Sequence, residues 1–245
     1  MSAPGKPADI LAIGAHTGDV EVSMGAVIAA HTSRGAKAVI CHVTLGEGGH
    51  RTKKPDEYAP QRRKEAEASA RILGAELAVG PWADIGFAGG ADVLAFLVDL
   101  VRKHRPGIVL AHWPNSFHPG HQHSGNLALQ AVETAAVARV KTAGVPPADE
   151  PWSTGAVWCP WNWEDPFDFR PDLYVDVSGV MEKWEKSCLE HELFRGGASS
   201  FRYLDHYKGV MQANGAVAGC KFAVACARPY VFAPKRVEVL PSGGQ

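Results

Sequence analysis

The chain has 245 residues, 46% hydrophobic and 21% charged, with a formal net charge of -1, the proportions of an ordinary globular chain with a large core. Near-neutral charge without a basic block leaves no electrostatic footprint for nucleic acid, and no apolar run is long enough to span a bilayer. The five cysteines are scattered and lack the paired spacing of a zinc knuckle, and the amino terminus lacks the charged start, apolar stretch and cleavage site of a secretory signal. The expectation is one domain over residues 1–245 in a reducing cytoplasm.

In chain order, apolar strand-like runs alternate with segments of helical period, the pattern of a parallel sheet covered on both faces. Residues 10–15 read as the first strand and 38–45 as the second; 20–34 reads as a helix with Met24, Val27, Ile28 and His31 at helical spacing and Gly35 as its stop. Residues 61–73 form a helix rich in Arg, Lys, Glu and Ala, closed by Gly74; 77–79 is a short third strand, 92–104 a helix ending before Pro106, and 108–112 the fourth strand. Residues 121–141 read as a long helix, 143–153 as a proline-bearing loop, 156–159 and 173–177 as later strands, and 179–194 as a helix, while 209–231 stays open between helix and strand. The expected class is α/β, a doubly wound, mainly parallel sheet with helices on both faces.

Such a sheet binds ligands outside the carboxyl ends of its strands, where strand order reverses. His16 and Asp19 follow strand one, and His118 and His121 follow strand four, so side chains about a hundred residues apart converge there. Three protein ligands with one open position make the usual catalytic zinc arrangement, in which bound water is acidified to a pKa of about 7. An H-x-x-D pair alone is also common in loops and caps.

The segments Ala15-His16-Thr17-Gly18-Asp19-Val20-Glu21 and His118-Pro119-Gly120-His121 resemble the signature of the PIG-L or LmbE-like zinc-dependent N-deacetylases, A-H-P-D-D-x-E with a later H-P-D-H. Thr44-Leu45-Gly46-Glu47, Arg63-Lys64-Glu65-Ala66, Val175-Asp176-Val177-Ser178, and Lys186 with His191 add weaker matches in the same order. The resemblance implies a Rossmann-like fold, a homo-oligomer, and one zinc per chain on His16, Asp19 and His121 at the ends of strands one and four. It also implies an oxyanion-stabilising role for His118 and deacetylation of a small N-acyl compound, sugar-containing ones being those the family is known for. Two positions depart from the signature: the family's general base falls on Gly18 and the aspartate of H-P-D-H on Gly120. Glycine neither accepts nor relays a proton.

The expected reaction is hydrolysis of a C–N amide bond by metal-activated water with a replacement base. Glu47, on the loop after strand two, is the first candidate, with a turn or capping role as its alternative; His118 serving as base and acid is the second, ahead of His123 and Asp84. Glu21 reads either as orienting a ligand imidazole or as a first-turn helix acid. The cluster Cys159-Pro160-Trp161-Asn162-Trp163-Glu164-Asp165-Pro166 offers aromatic faces and polar handles to a small ring. Trp161, Asn162 and Asp165 therefore join His50 and Asp84 as substrate-binding candidates, against plain core packing for any one tryptophan. Arg195 and Arg202, in the loop-like stretch 194–207, are candidate anion contacts. Two other readings stand beside this one. A metal-binding pseudoenzyme with a structural or regulatory role is favoured by the two glycines. A Rossmann-type cofactor-binding protein would use the glycine turn at 44–49, but the G-x-G-x-x-G fingerprint is missing after strand one.

Overall fold

The computed structural model describes residues 9–85, 87, 89–142, 150–196 and 199–229. β1 (Ile10–Gly14), buried throughout, runs parallel to β2 (Ala38–Thr44) on one side and β4 (Ile108–Ala111) on the other. β3 (Glu76–Trp82) extends the sheet beyond β2, and β5 (Ala156–Pro160) beyond β4, again parallel. β6 (Leu173–Asp176) and β7 (Ala223–Ala227) complete it with antiparallel pairings, giving the order β3-β2-β1-β4-β5-β7-β6. The order reverses between β1 and β4, so their carboxyl ends open the crevice of a doubly wound sheet.

Seven helices flank the sheet among the described residues: α1 (Asp19–Ser23), α2 (Gly25–Thr32), α3 (Pro55–Leu73), α4 (Ala91–His104), α5 (Pro119–Ala135), α6 (Met181–Leu189) and α7 (Tyr203–Ala218). Because successive strand side chains point to opposite faces, β1 feeds two cores. Ile10 and Ala12 pack with Ile28 of α2, Leu73 of α3, Trp184 of α6 and Met211 of α7. Leu11 and Ile13 pack with Leu97 of α4 and Ala128 of α5.

The helix predicted over 20–34 is two helices, broken at Met24. The indole Nε1 of Trp184 donates to the carbonyls of Glu21 (3.0 Å) and Val22 (3.3 Å) and so competes for acceptors that a continuous helix would use. α3 begins at Pro55, which sits in its first turn where a missing N–H costs nothing. The helix predicted over 121–141 begins at Pro119 and stops at Ala135, where buried Arg102 donates to the carbonyls of Ala135 (3.2 Å), Val137 (3.0 Å) and Val140 (2.9 Å). The helix predicted over 179–194 is continuous only through Met181–Leu189. β3 is longer than predicted, and the open segment resolves into the end of α7, closed by Gly219 at φ 75°, followed by β7. Residues 143–149 of the predicted loop and 230–231 of that open segment lie outside the described residues. No described helix is long and apolar enough to cross a membrane.

Candidate metal centre

After β1 the chain turns through residues 15–18 into α1. His16 N–H donates to Asp19 Oδ2 (2.9 Å), and Gly18, at φ +98°, donates its N–H to Glu21 Oε2 (2.9 Å). On the far side of the crevice His118 occupies the cap position of α5, Pro119 its first residue, and His121 its first turn. The two loops bring His16 Nδ1 and His121 Nε2 each to 3.0 Å from Asp19 Oδ2. One donor atom from each of the three residues lies within 4.8 Å of the other two. Two imidazoles and a carboxylate in this arrangement are a donor set that zinc takes.

Burial lowers the pKa of both imidazoles, but neighbouring carboxylates outweigh it. Asp19 and Asp84 push His16 up to about 9, and Asp19 with Glu164 pushes His121 up to about 10. Asp19 is raised by burial and lowered more by His121 and His16, ending well below the usual carboxylate range. His112 lies under the site, stacked on His121 with centroids 4.0 Å apart, and its Nε2 accepts Ala15 N–H (3.2 Å). Burial and His121 hold it well below the ordinary histidine value.

Without an ion, the raised values of His16 and His121 stabilise the folded chain fully below the ordinary 6.5, and that contribution is lost as pH rises through about 9 to about 10. Zinc has the opposite sign, because it requires neutral imidazoles and displaces those protons. Its apparent affinity is therefore expected to rise from about pH 6.5 to about 8.5, by up to about tenfold per pH unit for each proton displaced. Competition with a chelator across that range checks this, and a flat profile contradicts it.

A cavity of about 310 Å³ opens on these donors. Of the residues singled out in the sequence, His16, Asp19, Asp84, His118, His121 and Asn162 line it. Trp163 and Glu164 of the aromatic cluster and Phe194, Tyr203 and Tyr207 of the 194–207 stretch line it too, though none was singled out individually, and Tyr58 and Arg62 were not foreseen. Glu164 Oε2 stands 2.8 Å from His121 Nδ1; its place within the 159–166 cluster is the one sequence signal that pointed toward it.

Other expected residues are elsewhere. Glu47 is buried in the turn after β2, where its Oε1 accepts Asp84 N–H (2.9 Å), and it is not among the residues that line the cavity. Glu21 is paired with neither His16 nor His121; besides Gly18 N–H it faces His42 Nε2 (3.2 Å) and His191 Nε2 (3.6 Å). Burial raises its pKa, yet those two imidazoles hold it well below the usual carboxylate range. His50 Nδ1 accepts the N–H groups of Thr52 (3.1 Å) and Lys53 (2.9 Å), organising its own loop outside the cavity. Trp161 packs behind the wall against Tyr207 and His206. Asp165 is buried behind the lining, where desolvation pushes its carboxyl up to about 7. His123 is exposed outside the cavity. Arg195 donates to the carbonyls of Leu189 and Glu190, and Arg202 pairs with Asp205, so both are engaged away from the site.

The sequence profile of the PIG-L family, GlcNAc-PI de-N-acetylase, matches residues 11–132. The chain is 30% identical over 189 residues to the diacetylchitobiose deacetylase of Thermococcus kodakarensis, covering 75% of this chain and 68% of that protein. It is 29% identical to the 4-oxalmesaconate hydratase of Pseudomonas putida, over 98% of this chain and 92% of that one. The structure of N,N′-diacetylchitobiose deacetylase from Pyrococcus horikoshii matches its fold with a TM-score of 0.73 at 22% identity, covering 93% of this chain and 87% of the other. The α/β architecture, the paired motif segments and these similarities lead to one conclusion: the chain belongs to the PIG-L family.

Proposed function

We propose that this chain is a zinc-dependent hydrolase of a C–N amide bond, deacylating a small, ring-bearing N-acyl compound. The observation that carries this reading is the convergence of His16, Asp19 and His121 donor atoms within 4.8 Å at the wall of a cavity of about 310 Å³. His16, Asp19 and His121 would hold a zinc ion there, and the chemistry it would supply is polarisation of an acyl oxygen and a water pKa lowered to about 7. With Glu47 turned toward Asp84, and Asp84 and Glu164 facing His16 and His121, His118 is the lining group we assign to handle the proton. Burial and His121 lower its pKa, so it is neutral near pH 7; its Nδ1 is buried, leaving Nε2 to take a proton and pass it to the leaving nitrogen. Tyr58, Trp163, Phe194, Tyr203 and Tyr207 supply the flat apolar faces that suit a ring. The five cysteines without disulfide partners support a cytoplasmic setting.

The wall balances its carboxylates against the donor cluster and one guanidinium. Asp19, Asp84 and Glu164 line the cavity, and the one Lys or Arg among the described lining residues is Arg62. Its guanidinium already donates to the carbonyls of Leu45 (3.2 Å) and Thr17 and lies 3.6 Å from Glu65. A zinc ion held there would add two positive charges, bringing Asp19, Asp84, Glu164 and Arg62 to a net charge near zero.

A second reading, addition of water to a carbon–carbon double bond, is favoured by the hydratase relative that aligns with 98% of this chain. One assay separates the two. N-acetylated amino sugars and an unsaturated polycarboxylate are each incubated with the zinc-loaded protein while primary amine release and loss of conjugated absorbance are followed. Amine release abolished by chelation is expected; absorbance loss without amine release overturns the hydrolase reading in favour of hydration.

A further inference from the structure

We propose, resting on the metal reading above, that Asp84 and Glu164 are positioning residues that hold the two candidate ligand imidazoles in the tautomer and orientation a metal requires. Each ring has a carboxylate oxygen within 3.1 Å of both of its nitrogens. His16 presents Nδ1 to Asp19 Oδ2 (3.0 Å) and Nε2 to Asp84 Oδ1 (3.1 Å). His121 presents Nε2 to Asp19 Oδ2 (3.0 Å) and Nδ1 to Glu164 Oε2 (2.8 Å). The negative charge beside each outer nitrogen favours the tautomer that carries its proton there, which leaves the inner nitrogen with its lone pair free for the donor cluster and makes it a better ligand.

The outer carboxylates are themselves held. Asp84 donates its N–H to Glu47 Oε1 (2.9 Å), and Thr44 Oγ1 donates to Asp84 Oδ1 (3.4 Å). Glu164 donates its N–H to Asn162 Oδ1 (3.1 Å), which also accepts the Tyr207 hydroxyl (2.9 Å). The Glu164 carbonyl accepts Phe117 N–H and Ser116 Oγ–H, both at 3.0 Å, tying this residue to the loop that leads into His118 and His121. Glu47, Thr44 and Asn162 thus have a common task, which is to fix the carboxylates behind the imidazoles.

The two glycines belong to the same arrangement. A Cβ on Gly120 would stand 2.9 Å from His16 Cε1 and 3.1 Å from His16 Nε2, so any side chain there displaces the ring that Asp84 holds. Gly18 has φ +98°, and a Cβ on it would lie 3.3 Å from Phe194 Cζ. Glycine at 120 is what this placement of His16 demands, and glycine at 18 suits the positive φ of the turn between His16 and Asp19.

The test is zinc affinity, measured on the full chain by competition with a chromophoric chelator at about pH 7.5. Wild type is compared with Asp84→Asn, Glu164→Gln, Gly120→Ala and His121→Ala, and the unfolding midpoint of each is recorded in excess EDTA. Asp84→Asn and Glu164→Gln are each expected to weaken zinc binding about 10- to 100-fold, and Gly120→Ala to weaken it in the same direction, while the EDTA midpoints stay near wild type. Wild-type affinity in both carboxylate variants overturns the proposal and leaves the metal centre standing. A loss of zinc that merely follows a fallen EDTA midpoint overturns it as well. Absence of zinc from wild type and His121→Ala alike overturns the metal reading, and the proposal with it.

Discussion

Gly18→Asp, the change that restores the carboxylate of the PIG-L signature, is expected to lower amide hydrolysis by about ten- to a hundredfold. Gly18 sits at φ +98°, and its N–H is fixed to Glu21 Oε2 at 2.9 Å. Holding a side chain in such a region costs on the order of 1–3 kcal/mol, and the added Cβ would press on Phe194 at 3.3 Å. The turn relieves that strain by moving, and it carries His16 and Asp19. A misplacement of about 1 Å near the chemistry costs on the order of 10² in rate. The measurement is kcat/KM for amine release together with the unfolding midpoint, and both are expected to fall. Activity gained from a silent parent would show instead that the wild-type site is decayed, and would favour the metal-binding pseudoenzyme.

His121→Ala is expected to reduce hydrolysis by at least about 10³-fold, since a metal contribution of several kcal/mol converts to that factor at about 1.4 kcal/mol per decade. The substitution removes one donor of three and takes from Asp19 the imidazole that does most to lower its pKa. It also strips Glu164 of its partner at 2.8 Å. Amine release from the best substrate, measured with zinc in excess and with circular dichroism to verify the fold, checks the result. Hydrolysis at the wild-type rate would remove His121 from the chemistry.

The central frame is legible in the sequence because β1, β2 and β4 are covered on both faces and show as continuous apolar runs. Once those strands are placed, topology alone brings His16, Asp19, His118 and His121 to one crevice. What stays hidden depends on contacts between distant segments. The break at Met24 follows from Trp184, whose indole reaches carbonyls 163 and 162 residues earlier in the chain. β7, Ala-Val-Ala-Cys-Ala, is buried along its whole length, so it lacks the alternation that marks a half-exposed strand. Glu47 follows the expected strand on the expected side, but the amide of Asp84 engages its carboxylate, an interaction no local pattern announces. Arg62 lies on a helix whose composition reads as solvated, yet it is buried against the carbonyls of Leu45 and Thr17. Glu164 is hidden among aromatic neighbours that draw attention to ring stacking, while its own partner is an imidazole 43 positions back, at His121.

Elemental analysis of bound metal in wild type and His121→Ala, after reconstitution with zinc and gel filtration, tests the metal centre most directly. About one zinc per chain in wild type and little or none in the variant is the predicted result. No metal in either protein, or equal zinc in both, would contradict a centre built on His16, Asp19 and His121.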